Sequence, residues 1–148
     1  GEHRSLAVDI DGACAVTSTN SRFTWPRISL MSTAKTETAR EAIAAIATVA
    51  DPTSLGIVLG GSGNGEQIAA NKVKGVRAVL AWSVETAKLG KDHNNANVVG
   101  IGGRMHSIED CQSFIDTFLA TPFSGDERHI RRINQMSNFE TTGERNFA

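Results

Sequence analysis

LGIVLGGSGNGEQIAANK, residues 55–72, is the stretch whose reading decides the fold. Residues 55–59 form an apolar run that stops at Gly60-Gly61-Ser62-Gly63-Asn64-Gly65, and a helix-like segment follows from about Glu66 to Lys72. Strand, glycine-rich turn and helix start are how an α/β protein turns backbone N–H groups toward an anion. Glycines let the chain turn tightly and approach a ligand with no Cβ in the way. Glu66 stands at the end of that turn, where a carboxylate faces whatever the N–H groups hold. A short βα connection that binds nothing rarely needs so many glycines. The loop is not a dinucleotide fingerprint, because the third glycine of G-x-G-x-x-G is replaced by Glu66, and it lacks the Gly-Lys-Ser/Thr of a Walker loop. The expected ligand is therefore a small anion.

The rest of the chain alternates in the same way. Residues 5–10 (SLAVDI) read as a first strand, and residues 11–34 show no period of 2 or 3.6. From Thr36 a helical pattern runs through Ala39, Ala42, Ile43, Ile46 and Val49 to the break at Asp51-Pro52. Gly75 breaks the helix after the loop, and residues 76–82 (VRAVLAW) read as a buried strand. Ser83 caps a helix reaching about Asn94, and residues 98–101 (VVGI) form a third short strand closing on Gly102-Gly103-Arg104. Ser107 caps the next helix, whose inner face is expected to carry Ile108, Cys111, Phe114, Ile115, Phe118 and Leu119. A last helix spans roughly residues 126–139, and residues 141–148 read as a flexible tail. Apolar strands alternating with helices predict an α/β fold, a Rossmann-like three-layer sandwich with a mostly parallel sheet.

At 148 residues the chain is expected to be one domain, with 40% apolar residues for one core. The net charge of -1 supplies no global field for nucleic acid or a membrane surface. No apolar run is long enough to span a bilayer, and the N-terminus shows no signal-peptide pattern, so a cytoplasmic location is expected. Cys14 and Cys111 lie far apart and read as idle thiols. His3, His93, His106 and His129 show no metal-ligand spacing, so no metal is expected.

In an open α/β sheet, ligands sit beyond the carboxyl ends of the strands. Residues 60–66, Ser83 and Arg104 each follow a strand. His93 and Asn94 lie at the far end of a helix, where a side chain can reach a neighbouring subunit. Arg128 and Arg132 are four residues apart on one helix face, a spacing suited to a phosphate dianion. A solvated basic face near a helix start is the plainer alternative for that pair.

Taken together, GGSGNGEQIAANKVKGVRA, the HNNAN stretch from His93, IGGR, DTFLATPF and RHIRRI resemble the B-type ribose-5-phosphate isomerases, a family that includes galactose-6-phosphate isomerase subunits. The resemblance covers residues 49–140 with the motifs in order, and the GGSGNGE version looks like the actinobacterial branch. It implies an aldose–ketose isomerase interconverting ribose 5-phosphate and ribulose 5-phosphate through an enediolate, a step of the pentose phosphate pathway. Other members carry a cysteine base where this chain has Gly60, and in the branch it resembles the base matches Glu66. Ser62 matches the residue that assists at the sugar. Gly61, Gly63, Asn64 and Gly65 match the loop that holds the enediolate oxygen. His93 matches the histidine that helps open the furanose ring, Asn94 its neighbour at the sugar, and Arg104, Arg128 and Arg132 arginines of the active site, the last two on the phosphate. The resemblance also implies a homodimer or homotetramer with shared active sites, a sugar phosphate as the small-molecule partner, and no metal or organic cofactor. Proton transfer between adjacent carbons fits these residues independently, since it needs one base and a cradle for the developing oxyanion.

Residues 1–35 depart from the family pattern. The family opens with a strand ending in Asp-His-Ala-Gly; the nearest match here is Asp11-Gly12-Ala13, which lacks the His, and the chain has no tyrosine for the expected Asp-Tyr-Pro segment. Two alternatives therefore stay open at this point: isomerisation of a tetrulose or hexose phosphate, and a catalytically impaired sugar-phosphate-binding subunit.

Overall fold

A computed structural model describes residues 28–29 and 54–145. The strand expected over 5–10 and the helix expected from Thr36 lie outside the described residues. Within them the elements are β1 (Ile28–Ser29), β2 (Leu55–Gly60), α1 (Asn64–Ala70), β3 (Ala78–Ala81), α2 (Val84–Asn94), β4 (Val98–Gly102), α3 (Ile108–Ala120) and α4 (Glu127–Thr142). The four strands form one sheet in the order β1-β2-β4-β3, and every neighbouring pair is parallel. Ile28 pairs with Leu55 in a stretch where the sequence carries no period, so β1 is set by its neighbour and not by its own pattern.

The chain leaves β2, passes over β4's place to β3, then returns to insert β4 between them. Right-handed crossovers in opposite directions put their helices on opposite faces. The two cores follow that rule. Val58, Ala70, Val76, Ala78 and Val98 pack together on the α1 face. Leu55, Ile57, Ala81, Ala87, Val99, Ile101, Phe114, Ile115 and Phe118 pack on the face of α2 and α3. Val98 and Val99 enter different cores because successive strand residues point to opposite faces. This is the three-layer α/β arrangement the apolar strands predict.

The boundaries move for local reasons. α1 starts at Asn64, two residues earlier than the sequence suggests, because Gly63 takes φ 80° and closes the turn. α2 begins as expected: Ser83 Oγ accepts from the Thr86 N–H, and the Thr86 side chain answers the Ser83 N–H in a capping box. Ile108 is 72% exposed and does not join the inner face of α3, whereas Phe114, Ile115 and Phe118 do. The last helix runs on to Thr142 before Gly143 ends it in the left-handed region.

β3 is shorter than the apolar run 76–82, and its lead-in is held by side chains. Asn97 Oδ1 accepts from the Arg77 N–H (2.8 Å), and Asn97 Nδ2 donates to the Gly75 carbonyl (2.9 Å). At the sheet edge, Asn71 Oδ1 accepts from the Ala78 N–H and Asn71 Nδ2 donates to the Ala78 carbonyl, both at 2.8 Å. Asn71 thus pairs with β3 as a neighbouring strand would and closes part of an edge. Removing it leaves a buried donor unpaired, with the acceptor held only by Gln67 Nε2 at 3.0 Å. Asn71→Ala is expected to cost about 1–3 kcal/mol in urea unfolding; a loss below about 0.5 kcal/mol would show that water replaces the side chain.

Candidate functional site

The glycine loop is pressed onto the end of the sheet. The Gly103 N–H donates to the Gly60 carbonyl (2.8 Å) and the Arg104 N–H to the Gly61 carbonyl (3.1 Å), so the turns after β2 and β4 are stitched together. A Cβ at Gly63 would stand 2.6 Å from Leu80 Cδ1 and 2.9 Å from the Gly102 nitrogen, in addition to the strain of its positive φ. Part of the glycine richness therefore serves packing and not a ligand. Gly65 is different, with nothing within 4 Å of the place its Cβ would take.

Gly63 has no side chain to cap α1. Ser62 Oγ takes over part of that role, accepting from the Asn64 N–H and from Asn64 Nδ2, both at 3.3 Å. The first-turn N–H groups of Gly65 and Glu66 have no partner within the helix, as at any helix start. The Arg104 guanidinium lies over the loop, 3.5 Å from where a Gly61 Cβ would be.

Glu66 decides what this end of the sheet can do. Its side chain does not project from the mouth of the turn. It is 8% exposed and folds back so that its carboxylate occupies the space a side chain at Gly60 would fill. It makes no hydrogen bond among the described residues. That seat holds the carboxylate at the end of β2, beside the glycine loop.

The other predicted residues lie elsewhere. α2 starts just past the carboxyl end of β3 and ends before the amino end of β4, so His93 and Asn94 sit at the opposite end of the sheet from Glu66. There His93 Nε2 is 3.8 Å from Asp92 Oδ2, and its ring stacks on that of His129 with centroids 4.4 Å apart. The Asp92 carbonyl accepts from the Ser124 N–H (3.0 Å), which ties the start of α4 to the end of α2. Arg128, on the first turn of α4, pairs with Asp126 at 3.7 Å, and Arg132 is exposed one turn on. Asn94 is used structurally as well: its carbonyl accepts from Arg77 Nε (3.0 Å).

The residues predicted for the site therefore fall into two groups at opposite ends of the sheet. Glu66, Ser62, the loop glycines, Asn64 and Arg104 come together at the carboxyl end of the sheet. His93, Asn94 and Arg128 come together at the amino end, with Arg132 one turn along α4. Sequence reasoning passes over His129 and Ser124, which are central to the second group; a histidine between arginines gives no spacing signal. Among the described residues, no group of three or more His, Cys, Asp or Glu could hold a metal ion, and no helix is long and apolar enough to cross a membrane. Cys111 is a free thiol whose pKa is raised by burial and by Asp110.

The family model described as Ribose/Galactose Isomerase matches residues 21–136, spanning the loop, both groups and both strand ends. The chain belongs to this family. It is 63% identical over 99 residues to the ribose-5-phosphate isomerase B of Mycobacterium leprae, covering 67% of this chain and 61% of that protein. It is 60% identical over 101 residues to the ribose-5-phosphate isomerase B of Mycobacterium tuberculosis, covering 68% and 62%. The solved type B ribose 5-phosphate isomerase of Trypanosoma cruzi superposes with a TM-score of 0.72 at 38% identity, covering 76% of this chain and 73% of that one. The chain spans about three fifths of the length of the curated mycobacterial relatives.

Because Glu66 and a side chain at position 60 compete for one space, Gly60→Ala and Glu66→Ala are expected to be non-additive. Gly60→Ala alone must displace the carboxylate; in a Glu66→Ala background it has nothing to displace. A double-mutant cycle in denaturant should give a coupling of about 0.5–3 kcal/mol, and strict additivity would show that the two positions do not share that space.

Proposed function

We propose that the chain is an aldose–ketose isomerase that interconverts ribose 5-phosphate and ribulose 5-phosphate. The observation that carries this reading is the Glu66 carboxylate, buried, unpaired among the described residues, and seated over Gly60 at the end of β2. The names of the similar mycobacterial and trypanosomal proteins support the substrate class.

In this mechanism the Glu66 carboxylate takes the C2 proton of the open-chain aldose. The C2 electrons form the C1–C2 double bond while the C1 carbonyl oxygen gains charge. The enediolate so formed lies against the loop of Gly61, Gly63 and Gly65, with Arg104 above it, so that preorganised donors meet charge as it develops. Glu66 then returns the proton to C1, the oxygens exchange a proton, and C2 becomes the ketone. Ser62 orients the sugar. His93 gives a proton to the ring oxygen when the furanose opens, Asn94 holds a neighbouring hydroxyl, and Arg128 and Arg132 hold the phosphate. No step needs a metal or an organic cofactor. The reading includes a cytoplasmic location, where phosphorylated sugars are formed and retained by their charge.

The site is completed by a second copy of the chain. Two features support this: the two groups stand at opposite ends of one sheet, and large apolar side chains (Leu59, Ile68, Trp82, Met105 and Ile108) lie exposed on the strand ends, loops and helices around Glu66. In a homodimer, or a homotetramer built of such dimers, the loop of one copy faces the His93 and arginine group of the other.

Two measurements test this reading. Exchange of the C2 proton with solvent, followed by NMR on a sugar-phosphate panel, should show ribose 5-phosphate as substrate. Glu66→Gln keeps the size of the side chain and cannot accept the proton, so turnover should fall by about 10²–10⁴-fold; near-normal turnover would assign the base elsewhere. For the shared site, Glu66→Gln and His93→Ala chains should each be inactive alone. Refolded together they form mixed dimers with one intact site, restoring about a quarter of wild-type activity. No recovery from a verified mixed dimer would place the whole site within one copy.

A further inference from the structure

His129 lies in the first turn of α4 and is 5% exposed, while its neighbours Arg128 and Ile130 face solvent. Its Nδ1 is 2.9 Å from Ser124 Oγ. Ser124 is itself anchored, since its N–H donates to the Asp92 carbonyl and its hydroxyl accepts from the Asp126 N–H (3.4 Å). The His129 ring lies on the His93 ring, with centroids 4.4 Å apart and planes 33° apart. His93 is 39% exposed in its side chain. Without this stack, little would fix the orientation of a half-exposed imidazole near a helix end.

The charges around the two rings are asymmetric. Asp92, on α2, stands against His93 Nε2. His129 faces His93 from α2, Arg128 on its own helix and, more weakly opposing these, Asp126 and Asp92. Burial, then His93, then Arg128 lower the pKa of His129. Two stacked imidazoliums would repel, so the contact with His93 favours a neutral His129 ring.

We propose that His129 is a positioning residue for His93: hydrogen-bonded to Ser124 and stacked on the His93 ring, it holds that imidazole in one plane. This rests on the reading of His93 as the group that opens the sugar ring. His129 itself touches no reacting atom in this scheme; it aims the ring that does.

The test compares the full-length chain with His129→Phe, His129→Ala and Ser124→Ala. Imidazole resonances are followed by NMR from about pH 5 to 8, the range in which histidines titrate, alongside turnover of ribose 5-phosphate. In the wild type, His129 should take up its proton at lower pH than an ordinary histidine. His129→Phe keeps a ring beneath His93 but loses the Ser124 hydrogen bond; its effect on the His93 resonances and on kcat should be no larger than that of Ser124→Ala. His129→Ala removes the stack; the His93 resonances should move to those of a mobile histidine and kcat should fall about ten- to a hundredfold, with KM within about twofold. Ser124→Ala should shift both readouts in the same direction by less, and serves if His129→Ala does not fold. Unchanged His93 resonances in His129→Ala overturn the proposal, as does a His129→Phe chain as impaired as His129→Ala. The resonances need no turnover. A wild-type chain that isomerises no sugar phosphate, while His93 still loses its order in His129→Ala, would sink the isomerase reading and leave the positioning of His93 standing.

Discussion

The space over Gly60 holds one group, and that group is the Glu66 carboxylate. Much else around it follows. A side chain at position 60 would have to push the carboxylate out of its seat. The chain must turn sharply after Gly60 and enter α1 within a few residues, so that a side chain from the first turn of the helix can reach back to the strand. Gly63 provides that turn with its positive φ and its close approach to Gly102 and Leu80. Relatives of this chain are expected to carry a cysteine at the place of Gly60. Here a side chain at position 60 and the Glu66 carboxylate would claim the same space although their backbones lie six residues apart.

The parallel sheet then imposes a second constraint. A strand and the helix that follows it run in opposite directions, so a residue at the end of α2 cannot return to the end of the sheet from which the helix left. An 11-residue helix carries the chain about 16 Å. Glu66 and His93 are therefore separated by fold geometry and not by a flexible loop that could close. On the proposed function, bringing an imidazole and a carboxylate to one small sugar would need a second copy placed with its amino end against this carboxyl end. The exposed apolar residues around Glu66 are on the side where such a copy would dock.

The fold was legible wherever period and punctuation agreed. The run from Leu55 ended by glycines, the Ser83–Thr86 capping box and the Phe114, Ile115 and Phe118 face of α3 all appear where the residues predict them. β1 was not legible, because two residues pairing with a neighbour leave no pattern of their own. Ile108 was misplaced because one apolar residue next to a cap fits a helix face by period while the helix start projects beyond the core. At the site, the glycine loop and the Arg128–Arg132 spacing carry local signals. The seating of Glu66 on Gly60 and the His93–His129 stack do not, since each depends on two segments meeting in space.

The two groups also differ in how they are held. The Glu66 carboxylate has no hydrogen bond among the described residues and is held by its seat over Gly60. His93 is surrounded instead: Asp92 stands at one nitrogen and His129 lies against its face, with Ser124 behind. If His93 acts as proposed, it gains from a fixed plane, because a proton donor must point along the bond being broken. The carboxylate is thus confined by shape alone, through the missing side chain at Gly60, and the imidazole by contacts. Shape keeps the carboxylate in place, and contacts set the direction of the ring.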